Sequence, residues 1–286
     1  MTFLSLSILC SSFINWIFRR FKRAEVNTFH AIVINYLTCS VVGQALGRTF
    51  IFSSEQQQTS YFWFALILGF LFVGVFFCMA KTTEIFGVAS NAVSSKMAFI
   101  FPALFYFFWL NEEISWLKWI GLGLALLAVL AINKRSKKSE NIDGPIFFPI
   151  LVFIGSGIID GCMKWIDLTY LNGSSPLMAT TTIFTGAFLV GLVILIIKRD
   201  FHIKKKDWIA GFLLGVPNYF SIYFLILALQ QLTGQSTGAI FAVNNVGVIL
   251  VSTLGSILFF KDKLNKMQTI GLTLSIVSIL IITLAI

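Results

Sequence analysis

Two charged residues lie inside stretches of sequence that are otherwise hydrocarbon-like: Lys96 in ASNAVSSKMAFIFP and Asp160 in FIGSGIIDGCMK. A charge at the centre of an apolar helix costs at least a few kcal/mol unless it faces a wet cavity or a counter-charge. Lys96 stands about eight residues into its run, roughly 12 Å from the nearer end at ~1.5 Å per residue. On a helical wheel it shares a stripe with Ala89, Ala92 and Ala103, small residues that let a neighbouring helix or a cavity come close, so it is expected to face inward. Its ammonium suits the carboxylate or phosphate of an anionic or zwitterionic substrate. The plainer readings are a structural ion pair and a stem that snorkels to the interface. Asp160 is the carboxylate deepest in any run, on a stripe with Ser156, Gly157, Lys164 and Asp167. It would bind a substrate amine, carry a coupling proton, or neutralise Lys164 one turn on.

Uncharged polar residues form the next tier. Tyr219, Tyr223 and Gln230 share a face just after Pro217, which is expected to kink its helix and free backbone groups. Asn244 and Asn245 occupy in one run the places that Ser94 and Ser95 occupy in another. An amide in hydrocarbon needs a partner, so these groups bond either across helices or to a ligand. Asn15, Asn35 and Tyr36 are read the same way. The candidate substrate-binding set is therefore Lys96, Asp160, Ser95, Asn15, Asn35, Tyr36, Tyr219, Tyr223, Asn244 and Asn245.

Other chemistry finds little support. Cys10, Cys39, Cys78 and Cys162 all fall in apolar runs, where they act as small buried hydrophobes. His30 stands at the edge of a run and His202 in a basic loop, too far apart in sequence to suggest a metal site. Gly157–Gly161 and Gly211–Gly215 have GxxxG spacing, read as packing within the chain. There is no P-loop, no nucleophile constellation and no cofactor motif.

The elements that must position these residues are legible from composition. Of 286 residues, 57% are apolar and 12% charged, far from the soluble balance. The apolar runs are 2–18, 28–47, 61–80, 88–110, 116–132, 146–167, 177–197, 208–229, 236–260 and 267–286. Each is long enough to cross about 30 Å of hydrocarbon, and with no water there the backbone must close its own hydrogen bonds, which predicts helices. The first run lacks a positive n-region and a cleavage site, so it is expected to be a retained helix rather than a signal peptide. The fold class is all-α integral membrane, with ten transmembrane helices.

The net charge of +9 is spread over short loops with no soluble domain to present it, which argues against nucleic acid. Loops that follow odd-numbered helices hold Arg19, Arg20, Lys22, Arg23, Lys81, Lys134, Arg135, Lys137, Lys138, Lys198, Arg199, Lys204, Lys205, Lys206, Lys261, Lys263 and Lys266. Even-numbered loops hold Arg48 and Lys118. The positive-inside rule makes the odd loops cytoplasmic and both chain ends external.

A shift of 150 residues lays 88–124 on 238–274 without a gap, pairing Ala89 with Ala239, Ala92 with Ala242, Leu104 with Leu254, Gly121 with Gly271 and Glu112 with Asp262. A weaker echo sets Arg19 on Lys164 and Asn15 on Asp160. The chain reads as a first five-helix repeat, 1–132, a basic linker, 133–144, and a second repeat, 145–286. Five is odd, so the halves enter the membrane in opposite directions, and a binding site is expected at the midplane between them.

With its small-residue helix ASNAVSSKMAFIFPALFYFFWL, the acidic hinge NEEISWLKWIGLGLALLAVL and the matching FKDKLNKMQTIGLTLSIVSIL, the chain resembles the drug/metabolite transporter superfamily, in particular its ten-helix EamA-type permeases. Asp262 stands where the family commonly has Glu, and Ser252 where Pro102 stands in the first half. The resemblance implies a carrier of small metabolites that works without ATP. It also implies cytosolic ends, against the charge count.

These readings converge on a secondary transporter that moves a small polar organic metabolite, amino-acid-like or an organic anion, across the cell (inner) membrane by alternating access. The alternatives are an exporter of amphipathic drugs and a non-transporting channel or sensor. No enzyme is expected, and no cofactor or metal. Expected partners are the substrate, a coupling proton or counter-substrate, and the lipid bilayer, with the chain a monomer or homodimer.

Overall fold

The structure is a computed structural model that describes residues 1–47, 51–52, 61–101, 104, 115–134, 145–170, 176–231 and 237–284. Its helices are α1 (Thr2–Phe21), α2 (Thr28–Gly47), α3 (Phe62–Phe86), α4 (Val88–Lys96), α5 (Trp116–Ile132), α6 (Phe147–Tyr170), α7 (Pro176–Lys198), α8 (Lys205–Gln231), α9 (Thr237–Phe260) and α10 (Lys266–Leu284). Each falls on one of the ten apolar runs, α4 on the first part of the fourth. Seven of them, α1, α2, α3, α8 and α10 with Leu177–Lys198 and Ile240–Phe260, are long and apolar enough to cross a membrane. The chain is a multi-pass integral membrane protein.

Helix ends follow local chemistry. Asn265 and Gln268 form a reciprocal capping box, each side chain accepting from the other's backbone N–H at 2.9 and 3.0 Å, which starts α10. Asp207 starts α8 by accepting from the Lys204 N–H at 3.1 Å. Because that cap lies in the basic stretch, α8 begins at Lys205 rather than at 208. Likewise α3 runs on to Phe86, so Lys81 and Glu84 sit in its last turns rather than in a loop. Gly87, at φ 91°, then turns the chain directly into α4. That helix departs from a uniform α-helical span. The α-helical pattern changes to a 3₁₀ turn at Met97–Phe99, immediately after Lys96, and 3₁₀ segments inside a helix often mark hinges. Pro102, Ala103, Glu112 and most of the linker at 133–144 lie outside the described residues. The helix α8 continues unbroken through Pro217.

Contacts between helices respect an exchange of the two halves. α2 packs on α8 as α7 packs on α3, α1 on α8 as α6 on α3, α1 on α9 as α6 on α4, and α9 on α10 as α4 on α5. The pairs α2·α7, α4·α9 and α5·α10 join each helix to its own counterpart and so surround the pseudo-two-fold axis. The α5·α10 seam shows the relation atom by atom. A Cβ on Gly121 would fall on the side chain of Ile282, and one on Gly271 on Ile132. Both glycines and both isoleucines are 150 residues apart. In hydrocarbon, helix association rests on such close approach rather than on escape from water.

Ion pairs gather the chain at the ends of α1, α3, α7 and α9 at one end of the bundle, here called the basic face. Arg19 grips Asp262 with an N–O distance of 2.6 Å, and Lys22 and Lys81 both reach Glu84, at 3.6 and 2.9 Å. Lys206 meets Glu25 at 3.3 Å.

Candidate functional site

Lys96 ends a helix that is enclosed. α4 packs against α1, α3, α5, α6, α9 and α10, and Val88 to Ser94 are all buried. Lys96 itself is half-exposed. A helix with neighbours on every side offers its lysine no lateral route to lipid, so the accessible surface of Lys96 belongs to the bundle interior.

On α6, the lipid-facing stripe is Ile150, Ile154 and Ile158, at 38%, 40% and 43% exposure. At ~100° per residue, Asp160 points roughly 120° away from that stripe, into the sector of the buried Val152 and Phe153. It is nonetheless exposed. Lys96 and Asp160 are close enough for their charges to interact. Among the described residues, no nitrogen–oxygen contact of 4.0 Å or less joins them and neither side chain bonds to another protein group. Asp160 senses the charge of Lys96; the Lys164 side chain, the other partner expected for it, lies outside the described residues.

Beside this pair, toward the basic face, runs a polar junction of α1, α4 and α9. Asn91 donates to Asn15 at 2.7 Å, Asn15 donates to Ser252 at 3.1 Å, and Ser252 lies 3.3 Å from Ser12. Trp16 donates to the Ser252 carbonyl at 2.9 Å. All four polar side chains are buried. One turn beyond Asn15 comes Arg19 with its grip on Asp262, so a single face of α1 is zipped to α9 and the loop after it.

The remaining candidates separate into two kinds. Tyr36 is fully buried and donates to the Phe72 carbonyl at 2.9 Å. Asn35 accepts from Asn218 at 3.1 Å, Asn244 accepts from Ser7 at 3.2 Å, and Tyr219 is buried with its ring 6.5 Å from that of Phe184. These tie helix to helix. Ser95, Tyr223 and Asn245 are half-exposed; Tyr223 stacks on Tyr219 with centroids 6.3 Å apart, and Ser95 bonds its own helix at Ala92. The repeat register holds in burial too, since Ser94 and Asn244 are buried while Ser95 and Asn245 are half-exposed. Both glycines of Gly211–Gly215 pack on α2, against Ala31 and Asn35, which is packing within the chain.

Sequence reasoning missed Asn91, Asn133 and the His30 cluster. Asn133 accepts from Ser90 and donates to Ser94 at 3.1 Å, joining the end of α5 to α4. Its place just after an apolar run looked like a loop asparagine. His30 and His202, far apart in sequence, line one pocket of about 240 Å³ at the basic face. There the buried His30 ring lies 3.0 Å from Asp200 and 3.5 Å from Asp207. Among the described residues, no three His, Cys, Asp or Glu side chains are grouped so that they could hold a metal ion.

Ten helices arranged as inverted five-helix repeats define the class, a multi-pass membrane protein. The model of the EamA-like transporter family matches residues 2–134 and 144–284, and the chain belongs to that family. It is 28% identical over 287 residues to an uncharacterised protein of Haemophilus influenzae, covering 96% of this chain and 94% of that one. It is also 28% identical over 162 residues to the glucose uptake protein GlcU of Staphylococcus xylosus, covering 56% of this chain and 51% of that protein. A crystal structure with 14% sequence identity superposes with a TM-score of 0.61 over 97% of both chains, a likeness of fold.

Proposed function

We propose that the chain is a secondary transporter of small zwitterionic metabolites of the amino-acid kind, bound between Lys96 and Asp160 and moved by alternating access of the two repeats. The observation that carries this reading is the pair itself: opposite charges in two apolar helices, near enough to feel each other and out of contact. At an effective dielectric of ~20 their attraction at 4 Å would be about 4 kcal/mol and falls with distance. The three ammonium donors and the carboxylate lone pairs are left for a third party. A substrate carboxylate satisfies Lys96 and its amine satisfies Asp160. An organic anion would use Lys96 alone.

The moving bodies in this reading are residues 1–132 and 145–286, linked by 133–144, and the basic face is cytoplasmic. Binding energy biases two conformations, which needs no covalent step. A second reading, sugar transport, is favoured by the likeness to the glucose uptake protein of Staphylococcus xylosus; Lys96 and Asp160 would then bond hydroxyls. Counterflow in proteoliposomes separates the readings. Unlabelled amino acids inside should drive accumulation of labelled amino acid, glucose should not compete, and Lys96→Gln and Asp160→Asn should each abolish the signal. Counterflow of glucose alone would establish the second reading, and equilibration without saturation would point to a channel.

A further inference from the structure

We propose that the groove between α2, α3 and α7 at the basic face binds one anionic phospholipid, with an acyl chain against α3 and the headgroup at Lys198 and Arg199. The groove holds about 300 Å³ and is lined by Phe29, Phe70, Gly74, Phe77 and Ile194, with Lys198 at its rim. It follows α3 from Phe77 to Phe70, roughly 10 Å toward the middle of the bundle. Gly74 forms its floor: nothing lies within 4 Å of where a Cβ would stand.

Charge identifies the occupant. On this face Arg19, Lys22, Lys81 and Lys206 have carboxylate partners, and of the described cations without one it is Lys198 that lines the groove. Lys198 and Arg199 are exposed, and among the described residues neither has a carboxylate within 4.0 Å. The Lys198 ammonium instead sits 5.5 Å from the centroid of the Phe29 ring, at the mouth of the groove. A cation left without a protein counter-ion above an apolar channel matches a phosphate joined to a hydrocarbon chain. A zwitterionic lipid would fill the groove as well but would leave the two cations uncompensated.

The test is thermal unfolding of the delipidated full chain in neutral detergent. The additives are phosphatidylglycerol, phosphatidylcholine, or glycerophosphoglycerol, which is the headgroup without chains. Phosphatidylglycerol should raise Tm by several degrees more than phosphatidylcholine does, and the free headgroup should have no effect. That excess should vanish in the Lys198→Gln/Arg199→Gln double variant and shrink in Gly74→Leu, whose side chain enters the groove. Both variants change exposed positions and should match the wild-type Tm without lipid. Native mass spectrometry of the wild type gives an independent reading, with phosphatidylglycerol retained over phosphatidylcholine. Equal shifts from the two lipids, an excess that survives both variants, or an equal shift from the free headgroup would each overturn the proposal.

Discussion

Asn15 is sealed in the junction of α1, α4 and α9, at 3% exposure, while Asp160, its counterpart in the repeat register, is exposed. The two residues sit on equivalent seams, α1·α9 and α6·α4. One seam is closed by side-chain hydrogen bonds and the other holds an unbonded carboxylate beside Lys96. Two repeats of one design in unlike states are what the proposed alternating access would require of a single conformation.

That asymmetry is open to labelling. In a variant with Cys10, Cys39, Cys78 and Cys162 replaced, Asp160→Cys should react with a membrane-impermeant maleimide at least about tenfold faster than Asn15→Cys, a ratio worth roughly 1.4 kcal/mol of differential opening. Similar rates would remove the structural support for one closed seam.

The Arg19–Asp262 grip should be an energetic unit. Both side chains are partly exposed, at 29% and 15%, and Arg19 presents two nitrogens to the carboxylate. Charge-assisted bonds of this kind contribute about 1–3 kcal/mol, discounted here for solvent screening. A double-mutant cycle on Arg19→Ala and Asp262→Ala, read by thermal unfolding, should give a coupling of about 1 kcal/mol. Additive effects would show that the contact does not hold the basic face.

The two aspartates around His30 should differ sharply. Asp207, 1% exposed, accepts the backbone N–H groups of Asn27 and Lys204 at 2.8 and 3.1 Å. Asp207→Ala orphans both and should cost about 1–3 kcal/mol. Asp200 is 45% exposed, and Asp200→Ala should stay within about 0.5 kcal/mol. Comparable losses in melting temperature would contradict this assignment.

At the α5·α10 seam, Gly271→Ala should destabilise more than Gly121→Ala. The new methyl at 271 meets the backbone nitrogen of Ile132, which cannot move aside, whereas at 121 it meets the flexible end of Ile282. Overpacking of the rigid kind costs about 1–3 kcal/mol. Melting temperatures in one detergent decide it, and the reverse order would refute the contact geometry.

Much of this architecture was legible in the sequence, because hydrocarbon imposes its own rules. Long uncharged runs must be helices, and their number with the basic loops fixes the parity that the Arg19–Asp262 and Lys22–Glu84 pairs display in space. The register that lays Gly121 on Gly271 was visible for the same reason that it packs: small residues are needed twice at a symmetric seam. The site was legible in part. Lys96 and Asp160 stood out because a charge in an apolar run demands an explanation. By contrast, Tyr36 and Asn35 look alike in sequence whether they bond a ligand or a neighbouring helix, and only the carbonyl of Phe72 and the amide of Asn218 decide. The His30 pocket was hidden because it is assembled from three loop and helix ends with no shared spacing.

In the proposed mechanism Lys96 reads a carboxylate and Asp160 an amine on one substrate. Binding to the purified protein by thermal shift tests it most directly, with an amino acid that counterflow has identified, its methyl ester and its N-acetyl derivative. The wild type should bind the parent at least about tenfold tighter than either derivative. Lys96→Gln should lose the preference over the ester alone, and Asp160→Asn the preference over the N-acetyl form alone. A wild type that binds all three equally, or two variants that lose both preferences together, would contradict the account.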